Sequence, residues 1–113
     1  VIAVNKAKRK RLEAAGWKFE SVEEFLKLTP EEARLVELRL ALSKALKEER
    51  RKRRLTQAAV AKRLSTTQPR VSRMESGDPT ISFEYLFRSL FKLGATNKSL
   101  AKTIESAPAT FAA

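Results

Sequence analysis

The 113 residues include no cysteine and no histidine. Without cysteine there is no disulfide, no thiolate nucleophile and no thiolate metal ligand, a composition that fits a reducing cytoplasm. Without histidine the chain lacks the commonest metal ligand and the commonest general acid-base. No glycine-rich phosphate loop and no spaced set of carboxylates fills the gap. The acidic pairs Glu23-Glu24, Glu31-Glu32 and Glu48-Glu49 are accounted for by helix starts and surface pairing. An enzyme is therefore not expected, and neither is a cofactor or a metal. No apolar run approaches the roughly 18 residues that a membrane span needs, and the opening VIAV is too short for a secretory core. Aromatic residues are few, at 7%, and no aromatic platform of the kind that stacks single-stranded RNA is visible.

Positive charge, in contrast, is abundant, with a formal net charge of +11. Its location matters more than its sum. Residues 47–75 hold ten basic and three acidic side chains, whereas residues 21–46 hold four and five. A second, smaller basic excess lies in residues 1–20. Charge alone would suggest no more than a solvated face. Here it coincides with an independent structural motif, which points to a polyanionic partner.

With 42% hydrophobic residues the chain has enough apolar material for one small helical domain. Lys6 to Ala15 contains good helix formers without apolar periodicity, and reads either as a basic helix or as an arm. Trp17 and Phe19 follow Gly16, and they either anchor a protein partner or pack back on the domain. Ser21 with Glu24 reads as a capping box opening a short helix through Leu28. Thr29-Pro30-Glu31-Glu32 is a stronger start signal, and it opens a long helix with a stripe at Leu35, Leu38, Leu42 and Ala45 or Leu46, broadened by Val36 and Leu40. Ser82 is positioned to cap a helix whose stripe is Phe83, Leu86, Phe87, Leu90 and Phe91, ended by Gly94. Thr96 or Asn97 starts a last helix with Leu100 and Ile104 inward. The expected division is residues 1–29 as an extension, 30–106 as the domain and 107–113 as a tail.

The most specific pattern runs from Leu55 to Gly77, LTQAAVAKRLSTTQPRVSRMESG. Val60 and Leu64 share one helical face, with small Ala61 beside them where a second helix can cross closely. After a tight connection at Ser65 and Thr66, Val71 and Met74 form the buried edge of that second helix. Thr56 caps the first helix, and Thr66 or Thr67 caps the second, where Pro69 is tolerated in the first turn. Gly77 supplies the left-handed stop.

At Gln57, Val60, Ala61, Leu64, Val71, Glu75 and Gly77 this stretch resembles the Cro/C1-type helix-turn-helix family, the XRE family of transcriptional regulators. Ser65 departs from the pattern, which usually has glycine in the turn, and so does Pro69, at a position that often carries a polar side chain. The resemblance implies an all-α fold, a five-helix Cro/C1-type (lambda-repressor-like) DNA-binding domain, here with an N-terminal helical extension. It implies that the second helix lies in the major groove of double-stranded DNA. Thr67, Gln68, Arg70 and Arg73 would face the DNA: Gln68 suits adenine, Arg70 or Arg73 suits guanine, and Thr67 suits a thymine methyl or a phosphate. Gln57, Lys62, Arg63, Arg53 and Arg54 would contact the sugar-phosphate backbone. Arg50 and Glu75 match a structural ion pair of the family. The resemblance further implies a cytoplasmic, nucleoid-associated homodimer acting as a repressor. The alternative is a HigA-like antitoxin, which would bind a toxin protein through a surface including Trp17, Phe19 and Phe25 and repress its own operon.

Overall fold

A computed structural model describes residues 27–107, which form five α-helices: α1 (Pro30–Lys52), α2 (Gln57–Arg63), α3 (Gln68–Ser76), α4 (Phe83–Lys92) and α5 (Asn97–Glu105). Among these residues there is no strand, and no helix is long and apolar enough to cross a membrane. The basic stretch Lys6 to Ala15, Trp17, Phe19, the capping box expected at Ser21 and Glu24, Phe25 and residues 108–113 lie outside the described residues.

Each helix begins on a hydroxyl that satisfies an otherwise orphaned amide. Thr29 accepts from the Glu32 amide while the Glu32 carboxylate accepts from the Thr29 amide, closing a capping box on α1. Thr56, Thr67 and Ser82 cap α2 to α4 by accepting from the amides of Ala59, Arg70 and Tyr85, and Thr96 forms a second capping box with Ser99 on α5. Helix ends are equally local in origin. At the end of α2 the Ser65 amide donates to the Lys62 carbonyl and the Thr66 amide to the Ala61 carbonyl, the paired bonds of a Schellman motif. That motif requires a left-handed residue, and Ser65 takes it with φ 55°. Arg54 does the same after α1, also at φ 55°, while Gly77 and Gly94 serve α3 and α4.

One core joins all five helices: Leu42 and Leu46 from α1, Val60, Ala61 and Leu64 at α2, Val71 and Met74 from α3, Ile81, then Leu86, Leu90 and Leu93 around α4, and Leu100 from α5. Each fully buried aliphatic side chain contributes about 1.5–3 kcal/mol relative to leaving it in water. α1 is the spine, packing against α3, α4 and α5, while α2 and α3 pack on each other. Ala61 is buried between the helices of that pair, where a larger side chain would hold them apart.

Three expected core positions are corrected. Leu35 is 51% exposed, and the inward row in the first half of α1 runs through Ala33, Val36 and Glu37. Successive residues stand about 100° apart around a helix, so Leu35 cannot share the covered side with both Ala33 and Val36. Phe91 is 48% exposed. Leu86, Ser89 and Leu90 face inward instead, and Phe83 and Phe87 are half-buried beside them. Ile104 is 37% exposed, because α5 rests chiefly on α1 and covers only part of its own apolar face there.

Candidate nucleic-acid interface

The α2–turn–α3 unit presents one face of α3 to solvent. Val71 and Met74 point into the core, which turns Pro69, Ser72, Arg73 and Ser76, spaced i, i+3, i+4 and i+7, outward; all four are exposed. Gln68 lies on the flank of α3 toward α2, and Arg70 on the opposite flank toward α4.

The α2 flank is tied down by a polar network. Arg50 near the end of α1 donates through Nε to Glu75 Oε2 at 2.6 Å and through Nη2 to Glu75 Oε1 at 3.0 Å, a bidentate pair. Its Nη1 donates to the Leu55 carbonyl at 3.0 Å. Gln57 Nε2 donates to Glu75 Oε1 at 3.2 Å, and Gln68 Nε2 donates to Gln57 Oε1 at 2.7 Å. The Glu75 side chain is only 3% exposed and that of Arg50 15%. Hydrogen bonding to Glu75 holds the Arg50 guanidinium above its ordinary pKa despite its burial. The network thus links three helices and ends on an exposed amide at the start of α3.

The α4 flank is built on stacking. The Arg70 guanidinium lies 4.5 Å from the centre of the Tyr85 ring, and Arg39 covers Phe83 in the same way at 4.6 Å. Arg39 also donates to the carbonyls of Ile81 and Asp78, fixing the loop between α3 and α4. Burial lowers the Arg39 pKa against the opposing pull of Asp78. In that loop burial alone would raise the Asp78 carboxyl. The hydrogen bonds from the Thr80 amide (2.8 Å) and hydroxyl (2.7 Å), with the charges of Arg73 and Arg39, outweigh it and hold the group below the ordinary carboxylate range.

Of the residues expected to contact DNA, the structure brings Gln57 and Gln68 together with the Arg50–Glu75 pair. Thr67 is exposed, and its hydroxyl oxygen is engaged in accepting from the Arg70 amide at 3.4 Å. Arg73, Lys62, Arg63 and Arg54 are exposed. Arg53 stands apart, bonded to Glu49 at 3.3 Å and laid so close over Gly94 that a Cβ there would fall 2.4 Å from Nη2. Arg70 does not share the outward face with Arg73. Ser72, Ser76 and Tyr85 did not emerge from sequence reasoning. The first two follow from helical period counted from Pro69, whereas nothing local signals Tyr85.

A short helix crossing a second, with the second exposing a polar and basic face beside a basic helix end, defines a helix-turn-helix DNA-binding regulator. A family model described as a helix-turn-helix domain matches residues 25–98, well over half of the chain, and the chain belongs to that family. No curated protein and no solved structure matches it.

Proposed function

We propose that the chain is a sequence-specific transcriptional regulator of the Cro/C1 type, a repressor that acts as a homodimer on a near-palindromic site in double-stranded DNA of the bacterial cytoplasm. The observation that carries this reading is the anchored amide at the start of α3: Gln68 held by Gln57, itself held by the buried Arg50–Glu75 pair. Networks of this kind spend buried charge to fix one exposed group in place, which suits recognition better than stability.

In this reading α3 lies in the major groove with Gln68 toward adenine N6 and N7 and Arg73 toward guanine O6 and N7. The ring of Pro69 and the methyl group of Thr67 offer apolar contact to thymine methyls. Gln57, Lys62, Arg63, Arg53 and Arg54 serve the phosphates, setting affinity and salt dependence rather than sequence choice. One helix of this length reads only a few base pairs, so a two-fold dimer supplies the remaining specificity. Catalysis has no part in this reading, since helix-turn-helix DNA-binding domains are typically non-enzymatic. The antitoxin alternative rests on Trp17, Phe19 and Phe25, which lie outside the described residues, and no contact in α1 to α5 favours it.

The test is selection of duplex fragments from the source genome by the purified protein at physiological salt, followed by sequencing. Enrichment of one near-palindrome, lost on Gln68→Ala or Arg73→Ala, is expected. Binding without enrichment, fading simply as salt rises, refutes a sequence-specific regulator.

A further inference from the structure

The two flanks of α3 are built differently, and the Arg70 flank is not explained by base reading. Arg70 is half-buried, its guanidinium rests on the Tyr85 ring, and its Nε is enclosed without a hydrogen-bond partner. No carboxylate pairs with it among the described residues. An arginine is always charged and its fork of N–H groups lies in the plane of the guanidinium. Stacking on an aromatic face occupies the plane's surface and leaves its outer N–H edge available. The same stacking lays the side chain across the gap to α4, away from the outward row of Pro69, Ser72, Arg73 and Ser76. When that row enters a major groove, a group on the flank meets the wall of the groove, and the wall is sugar-phosphate.

We infer that Arg70 is a phosphate clamp and that Tyr85 is its positioning residue, so that this pair governs affinity while Gln68 and Arg73 on the other part of α3 govern sequence. The inference rests on α3 being the recognition helix. A guanidinium matches two phosphate oxygens in bidentate fashion. Holding it flat on a ring beforehand removes most of the rotamer freedom that an exposed arginine loses on binding. Tyr85 works through its ring face rather than its hydroxyl.

The experiment measures binding of wild type, Arg70→Ala, Arg73→Ala, Tyr85→Phe, Tyr85→Leu and the Arg70→Ala/Tyr85→Leu double variant. Each is tested against the preferred duplex and a panel of its single-base-pair variants, between 50 and 200 mM salt, with thermal melting run in parallel. Arg70→Ala removes only a half-buried side chain at the surface and reports even if a Tyr85 variant unfolds. It is expected to weaken every duplex by a similar factor, roughly tenfold, and to reduce the slope of log affinity against log salt by about 0.9. Tyr85→Leu moves in the same direction, the double variant is no weaker than Arg70→Ala, and Tyr85→Phe matches wild type. Arg73→Ala instead flattens the preference at one base pair. Loss of preference at a single position in Arg70→Ala overturns the clamp, and additive losses for Arg70→Ala and Tyr85→Leu overturn the role of Tyr85. A wild type with no preferred duplex defeats the recognition-helix reading and the clamp with it, a failure seen before any variant is made.

Discussion

Replacing Glu75 by leucine removes the hub of the network. The carboxylate accepts three N–H groups, from Arg50 Nε, Arg50 Nη2 and Gln57 Nε2. After replacement the guanidinium retains only the Leu55 carbonyl, and the Gln57 amide loses an acceptor. Hydrogen bonds to a charged group contribute about 1.5–3 kcal/mol each, which would overstate the loss because the carboxylate no longer has to be desolvated. Removing one member of a buried pair costs about 3–5 kcal/mol. The 15% exposure of Arg50 gives the stranded charge some access to water, so the low end, about 3 kcal/mol, is expected. In a domain of this size that corresponds to a fall of about 12–24 °C in melting temperature. The double replacement Arg50→Met/Glu75→Leu removes both charges and should return to within about 1 kcal/mol of wild type. Urea denaturation of wild type, both single variants and the double variant, followed by circular dichroism, gives the coupling directly. A Glu75→Leu loss below about 1 kcal/mol, or single losses that add to the double within about 0.5 kcal/mol, would refute the reasoning.

Ser65→Gly should raise stability by about 0.5–1 kcal/mol, because relief of the left-handed strain at φ 55° exceeds the entropy glycine loses on folding. A melting temperature equal to or below that of wild type would show that the turn stores no such strain. For Asp78 the pH sign follows from its depressed pKa. The stabilisation is complete above the unfolded value of 3.8 and fades as pH falls through the lower folded value. Wild type should therefore melt higher than Asp78→Asn at pH 7, with the gap narrowing below about pH 4; a gap that stays constant to pH 2 removes the carboxylate from the account.

Local chemistry was the legible part of this chain. Thr29, Thr56, Ser82 and Gly77 could be recognised as helix punctuation because a cap or a left-handed stop depends on a few neighbouring residues. Periodicity revealed that α1, α4 and α5 each carry apolar residues on a face, but not how much of that face a neighbour covers. Leu35, Phe91 and Ile104 therefore came out more exposed than their spacing suggests. The Arg50–Glu75 contact spans 25 residues, and only likeness to a family pointed to it. Gln57 and Gln68 each match a DNA-contacting position of the resembled family, yet their contact with one another crosses the turn and has no local signature. Arg70 shows the same limit. Its chemistry suits guanine, but a ring on another helix decides where that chemistry is delivered.

A glutamine amide is nearly symmetric in shape and opposite in polarity at its two ends, so a free one rotates and offers a donor or an acceptor indifferently. Glu75 admits no such choice, since an ionised carboxylate only accepts. Gln57 must turn its NH2 toward it, which leaves the Gln57 oxygen facing Gln68, and Gln68 must answer with its own NH2. The orientation is passed from one amide to the next. The sign of the charge at the far end of α3 thereby settles which way round the exposed amide stands, with its oxygen and one remaining N–H free for whatever approaches.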